Sequence, residues 1–313
     1  MDEVEDLPIH REEPPPHIHV AECQIKPLLK DTDYDAINKC FATPNLCQKE
    51  IEPNVVYKDG EQIKFLLLPR AISEAAWLKA HVAAHDAHMQ SNSRREANAQ
   101  AYGRKLTLGW IDLRLPNYEN MRTAPTLEQP DLLAALYPLI RDMDRLIERA
   151  VPAYYNYAFK CAMTAVRPNT EHDDLSRITN KRELQIVEAL DPWSLTYTIR
   201  GTVFSTVEFN RNIVFKAHED GHNVDGTCVG ITTLGSYAGG RLVFPRYGYS
   251  AELGPRDFLL CDNNHELHGN LGPIVGDRFS VVAFLHDSVC GRTEVDGWGP
   301  PYEGGDGLPT PEG

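Results

Sequence analysis

The chain has 313 residues, 42% hydrophobic and 24% charged, proportions that suit a folded protein of one large domain or two small ones. No run of about eighteen apolar residues exists, which excludes a transmembrane helix, and the acidic, Pro-rich start MDEVEDLPIHREEPPP lacks the basic and apolar regions of a secretory signal. A net charge of −14 argues against a simple nucleic-acid binder, which carries a basic face.

Two local basic clusters stand against that acidic background: Arg94, Arg95, Arg104 and Lys105, then Arg177, Lys181 and Arg182. Their plainest reading is solvated surface; a positive rim of this size would suffice for salt-sensitive phosphate contacts. The seven cysteines, at 23, 40, 47, 161, 228, 261 and 290, form no C-x2-C pair. That argues against a structural zinc site and for reduced thiols.

In chain order, residues 1–20 read as a flexible acidic arm, and 21–192 as a mixed, largely helical support region. IKFLLLP (63–69) reads as a strand closed by Pro69. Ser73 is placed to cap a helix over ISEAAWLKAHVAAHDAHMQ. His81, His85 and His88 fall on roughly one side of it; with no carboxylate implied beside them, they read as a helix flank. SNSRREANAQAYGRK reads as a loop and LTLGWIDLRL as a strand. A second helix starts near Pro130 and Asp131. Its apolar positions at 132, 133, 136, 139, 140, 143, 146 and 147 make one stripe, and Pro138 should kink or restart it. Tyr154, Tyr155, Tyr157 and Phe159 suggest a strand. These helices are expected to buttress the outside of a sheet. Residues 167–192 form a polar stretch with a short helix near 181–190, a candidate lid or substrate loop. Its His172 and Asp173 are set aside as ligands because a better set follows.

From Trp193 the pattern changes to short β-branched and aromatic segments: SLTYTI, GTVFSTVEF, IVFKA, TCVGITTL, GRLVFP, SAEL, DFLLC and RFSVVAFLH. Turns of Gly, Pro and Asn separate them, as in a sandwich or barrel. Gly239-Gly240 and Gly254-Pro255 mark two of the turns. Residues 193–290 are therefore expected to form an all-β core, and 291–313 a Gly/Pro-rich acidic tail with Trp298 and Tyr302 as possible docking points.

The chemistry concentrates between 218 and 286. His218 and Asp220 are two apart, so on an extended segment they point the same way. His268 follows later. Two histidines and one carboxylate with open coordination positions is the ligand set of non-haem Fe(II) oxygenases. Arg278 offers a planar, permanently charged fork for a carboxylate, and Ser280 lies two residues along the same face. Arg278, Ser280, Val282, Phe284 and His286 all fall on one face of one strand.

With H-x-D, then YAGGRLVFP, ELGPRDFLLCDNN and H-x4-P-x4-R-x-S in that order, the chain resembles the 2-oxoglutarate/Fe(II) dioxygenases. HEDGHN (218–223) and RFSVVAFLH (278–286) narrow the resemblance to the TET/JBP family of DNA nucleobase dioxygenases, most like its short fungal members. It is strong over 200–290 and weaker over 70–200. It implies an α+β fold with a double-stranded β-helix (jelly-roll) core buttressed by helices. It implies Fe(II) held by His218, Asp220 and His268, with 2-oxoglutarate held by Arg278 and Ser280 and O2 as cosubstrate. Asn223 and His286 would meet the edge of a flipped base and Phe284 would stack on it. The reaction implied is oxidation of 5-methylcytosine to 5-hydroxymethyl-, 5-formyl- and 5-carboxylcytosine, with decarboxylation of 2-oxoglutarate to succinate. N6-methyladenine demethylation by the same chemistry is the alternative. Further alternatives are a protein hydroxylase of the same fold, or an inactive jelly-roll that only binds. The expected partner is methylated DNA, the expected state a monomer off the membrane, and the expected location the nucleus.

Overall fold

The computed structural model describes residues 18–29, 49–88, 101–111, 121–165 and 197–290. The acidic arm up to residue 17, the 167–192 stretch with its short helix, His172, Asp173 and basic cluster, Arg94 and Arg95, and the 291–313 tail lie outside the described residues.

Among the described residues, thirteen strands form two sheets. The large sheet has the order β1-β3-β4-β11-β8-β13-β7-β5-β6 and the small one β12-β9-β10-β2. In chain order they are β1 (Ala21–Gln24), β2 (Lys49–Glu50), β3 (Val55–Asp59), β4 (Gln62–Leu68), β5 (Ala101–Ile111), β6 (Met121–Arg122), β7 (Thr206–Phe215), β8 (Val229–Gly239), β9 (Leu242–Phe244), β10 (Tyr249–Ala251), β11 (Phe258–Cys261), β12 (Gly269–Asn270) and β13 (Ile274–Phe284). This is the jelly-roll arrangement, with helices laid on one face.

The two-residue alternation of the strands explains the two cores. On β13, Phe279, Val281 and Ala283 face the helices, while Val282 and Phe284 face the small sheet. On β4, Leu66 and Leu68 join the helix-side core and Phe65 and Leu67 the inter-sheet core. Phe65, Phe244 and Tyr247 pack at ring distances of 4.4 and 5.6 Å in the latter. Both faces of the central strands are thus buried, so DFLLC and VVAF read as continuous apolar runs.

The helices are α1 (Glu74–Asp86), α2 (Ala124–Glu128), α3 (Pro130–Ala150) and α4 (Pro152–Met163). Ser73 caps α1, its side chain accepting from the Ala76 N–H. The eight apolar stripe positions of α3 are all buried at 4% exposure or less; each is worth about 1.5–3 kcal/mol of transfer free energy. His81 and His85 flank α1 as expected: Trp77 stacks on His81 at 4.7 Å, and His81 Nδ1 accepts from the Gly235 N–H at 3.2 Å.

Several expectations are corrected. Pro138 does not restart the helix: it lies inside α3. The tyrosine-rich segment after Pro152 is α4, not a strand. Proline at a first helical position is pre-organised for a helix, and Ala158, Cys161 and Ala162 supply a helical buried face that the aromatics obscured. GTVFSTVEF and IVFKA are not two strands: β7 begins only at Thr206 and runs through both. In SLTYTI, the described residues 197–199 form a bend. Finally, β5 begins at Ala101, inside the expected loop, and strands β1, β3, β4, β5 and β6 join the large sheet from before residue 193. The sheet therefore runs across the expected boundary between support region and core.

Asp144 of α3 is a buried acid in the helix-side core. It accepts from the Val203 N–H at 2.8 Å and from the Tyr155 hydroxyl at 3.1 Å. Burial pushes its carboxyl up to about 6 despite those hydrogen bonds. A folded value above the ordinary one means the folded state binds the proton more tightly, so this stability is full at low pH and is lost as pH rises through about 6. Asp144→Asn should remove that dependence. Between pH 4 and 7 the wild type should lose about 2 kcal/mol relative to the variant, read as the difference between two chemical-denaturation series. A difference independent of pH would refute the assignment.

Candidate metal centre

Strand β7 ends at Phe215, before the H-x-D fragment. His218 and Asp220 therefore do not share a strand, as the two-residue spacing suggested. They occupy the loop beyond it and are fixed by cross-links. His218 and His268 exchange both backbone hydrogen bonds at 2.9 Å, and the Asp220 N–H donates to the Asn263 carbonyl at 2.9 Å. This brings the side chains together all the same. His218 Nε2 lies 3.5 Å from Asp220 Oδ1, and His268 Nε2 lies 3.7 Å from Asp220 Oδ2. One ligand atom from each of the three residues falls within 4.8 Å of the others.

The second contacts of the imidazoles set their chemistry. His218 Nδ1 lies 2.8 Å from the Lys216 carbonyl, and His268 Nδ1 lies 2.8 Å from the Glu266 carbonyl. A carbonyl can only accept, so each Nδ1 carries hydrogen and each Nε2 is the ring nitrogen left facing the centre. Burial pushes the His268 imidazolium down to about 4 despite the Asp220 charge, so the ring is neutral. Burial works to raise the Asp220 carboxyl, but its histidine neighbours hold it below its ordinary value. Two imidazole nitrogens and one carboxylate, converging from one side, fit a divalent iron.

Arg278 and Ser280 lie on the inner face of β13, buried at 6% and 5% exposure. They sit opposite Gly235 and Thr233 of β8. Gly235 has φ +101°, and a Cβ there would lie 2.0 Å from the Asp277 carbonyl oxygen; only glycine allows β8 to pass so close. The Arg278 N–H donates to Asn212 Oδ1 at 2.7 Å, and its guanidinium lies 5.7 Å from the Tyr237 ring centroid. Burial lowers its pKa, with Tyr237 the partner that opposes the shift. No carboxylate among the described residues pairs with it. A buried guanidinium lacking an anion fits the distal carboxylate of 2-oxoglutarate. Gly240 joins this grip to the histidine loop: its carbonyl accepts from Asn270 Nδ2 at 3.0 Å, two residues beyond His268.

At the other end of β13 the strand stops at Phe284, so His286 lies past it. Asn223 and His286 form an isolated antiparallel bridge, which brings the two expected base-edge residues side by side. Asn223 is buried at 6% exposure, and its Nδ2 has no hydrogen-bond partner. The His286 ring lies 5.9 Å from that of Phe284 and stacks with that of His222 at 5.4 Å and 8°. Phe284 itself is 8% exposed and packs in the inter-sheet core, so little of its face is free for stacking.

Several residues near the centre escaped the sequence reading. Asn212, at φ +53°, and Asn263 act through backbone-like contacts that carry no spacing signal. Lys64 had a signal: a lysine inside the apolar strand IKFLLLP. It is buried, 2.9 Å from Asp262 and 2.7 Å from Glu266. Burial pulls its ammonium down, but the two carboxylates hold it above the ordinary value. Of the expected basic clusters, Lys105 forms an ion pair with Glu208.

No curated protein matches the chain. Among solved structures, NgTET1 in complex with 5mC DNA is 14% identical with a TM-score of 0.49, covering 82% of this chain and 90% of that one. A Pseudomonas putida prolyl-4-hydroxylase is 12% identical with a TM-score of 0.34, over 71% of this chain and 91% of that one. OsALKBH1 is 10% identical with a TM-score of 0.38, over 71% and 96%. The Tet_JBP family model, the oxygenase domain of the 2OGFeDO superfamily, matches residues 114–287. That match spans more than half of the chain and contains the histidines, the acid and the arginine: the protein belongs to the TET/JBP family and is a 2-oxoglutarate- and Fe(II)-dependent dioxygenase.

Proposed function

We propose that the protein oxidises the methyl group of 5-methylcytosine in DNA, on a base turned out of the helix. The observation that carries this reading is the Asn223–His286 bridge. It sets an unpartnered buried amide beside an imidazole, at the end of the strand that carries Arg278. An amide nitrogen buried without a partner is costly, and the edge of a nucleobase supplies an acceptor for it. Membership of the TET/JBP family supports a nucleobase over a protein side chain.

In this reading His218, Asp220 and His268 hold the iron from one side, leaving positions for cosubstrate and O2. Arg278 grips the distal carboxylate of 2-oxoglutarate and Ser280 donates to the same group. When bound, iron and 2-oxoglutarate with O2 supply the oxidant that converts a methyl C–H to C–OH, releasing succinate and CO2. The chain's own work is positioning. The Nδ1–H bonds to Lys216 and Glu266 hold both imidazoles with Nε2 inward. Asn223 and His286 fix the base edge, and Phe284, with the stacked His222–His286 pair, borders the base. A base inside a duplex could not reach residues this recessed, so the target is flipped or single-stranded. Binding of DNA by so acidic a chain would need a local positive rim and would weaken as salt rises. A chromosomal substrate would place the protein in the nucleus.

The deciding experiment incubates the protein with Fe(II), ascorbate, 2-oxoglutarate and duplexes carrying 5-methylcytosine or N6-methyladenine, then reads the nucleosides by mass spectrometry. Oxidised cytosine products are expected, and none from the His218→Ala/Asp220→Ala variant. Loss of N6-methyl alone would replace the cytosine reading with adenine. Succinate without change to either base would turn the search to proteins. Arg278→Ala should raise KM for 2-oxoglutarate about 100-fold, the cost of removing a buried charge-paired partner; an unchanged KM would exclude its role. Asn223→Ala should lower kcat/KM for DNA about tenfold or more while leaving the 2-oxoglutarate KM within about twofold, since a lost base-edge hydrogen bond costs about 1–3 kcal/mol. Equal effects on both substrates would remove Asn223 from the base site.

A further inference from the structure

We propose that Lys64 is a positioning residue for the metal centre, acting through the turn over residues 262–268. The inference rests on the assignment of His218, Asp220 and His268 as ligands. Lys64 touches none of them. Its ammonium lies 2.9 Å from Asp262 Oδ2 and 2.7 Å from Glu266 Oε1, and its carbonyl accepts from the Asp262 N–H at 3.2 Å. One cation therefore ties both ends of a short segment to strand β4.

That segment orients two of the three ligands. Asn263, next to Asp262, accepts the Asp220 N–H through its carbonyl at 2.9 Å. Glu266 presents the carbonyl that takes His268 Nδ1–H. Neither Asp220 nor His268 lies within a strand; beyond the backbone pair between His268 and His218, both lean on this turn. Their placement depends on the turn, and the turn is anchored through Lys64. Tyr247 adds a hydroxyl 3.2 Å from Glu266 Oε1, and Arg246 approaches the same oxygen at 3.5 Å. The Glu266 side chain is fully buried. A buried ion cluster adds little to stability over a packed apolar replacement, whereas groups that orient ligand histidines have a direct effect on metal affinity.

The test uses the full chain, freed of metal and kept under anaerobic conditions. Co(II) is titrated in while its d–d absorption reports affinity and geometry, and the 2-oxoglutarate KM is measured separately. Lys64→Met should weaken Co(II) binding about 10- to 100-fold and shift the d–d bands. The 2-oxoglutarate KM should stay within about twofold, because Arg278 and Ser280 sit on β13 and do not depend on the turn. Because Lys64→Met strands two buried acids, Lys64→Met/Asp262→Asn/Glu266→Gln serves as a second variant without that charge imbalance, and the same loss is expected. Wild-type Co(II) affinity and spectrum in either folded variant would overturn the proposal. So would loss of near-UV circular dichroism in both, which would make the cluster a folding element. His218→Ala/Asp220→Ala separates the two levels. If it abolishes Co(II) binding while the Lys64 variants keep it, the ligand assignment stands and the Lys64 proposal falls. If it binds Co(II) as the wild type does, the ligand assignment itself falls.

Discussion

The reciprocal pair of backbone hydrogen bonds between His218 and His268, both 2.9 Å, is the constraint on which the centre depends. Neither residue lies in a strand. Each would otherwise be a free loop residue, with its side chain spread over several rotamers. The pair joins the end of β7 to the start of β12, and so closes the mouth between the two sheets. The bond from the Asp220 N–H to Asn263 extends the same closure. Three ligand atoms converge because the backbone is stitched across the mouth, not because of any spacing along one segment.

The packing explains why such a mouth can exist. Both faces of the central strands are covered, by helices on one side and the small sheet on the other. The inner face of β13 then passes from a buried arginine through Val282 to Phe284 within one register. Phe244, in the inter-sheet core, approaches the His268 ring at 6.4 Å. The apolar wall excludes water from one side of His268, which accounts for its neutral imidazole and inward lone pair. The low dielectric that makes a buried Arg278 costly would also strengthen its attraction for an anion. Helix α1 supports the opposite face of this wall: His85 meets Phe279 edge-on at 5.2 Å.

The charges are unevenly used. Near the centre, the acids are internal and paired, as with Asp262, Glu266 and Lys64. The chain's net charge of −14 therefore says little about the field at the mouth. Local placement of charge, rather than the sum, governs what approaches a site.

The sequence by itself determined the chemistry and the class of fold. The ordered motif H-x-D, H, R-x-S carried the residues, because ligand chemistry demands particular side chains in a particular strand order. Alternation placed Arg278, Ser280, Val282 and Phe284 on one face, since a strand's period is a local property. The stripe of α3 was legible for the same reason. What remained hidden was whatever depends on a partner distant in the chain. Only the tertiary structure made the tyrosine-rich segment a helix, because its buried face is alanine and cysteine packed into the helix-side core. Only the fold joined strands from before residue 193 to the core. It alone set Asn223 beside His286, and Lys64 between two acids nearly two hundred residues away. Pairing across such separations is decided by how the sheets close, and no local pattern encodes it.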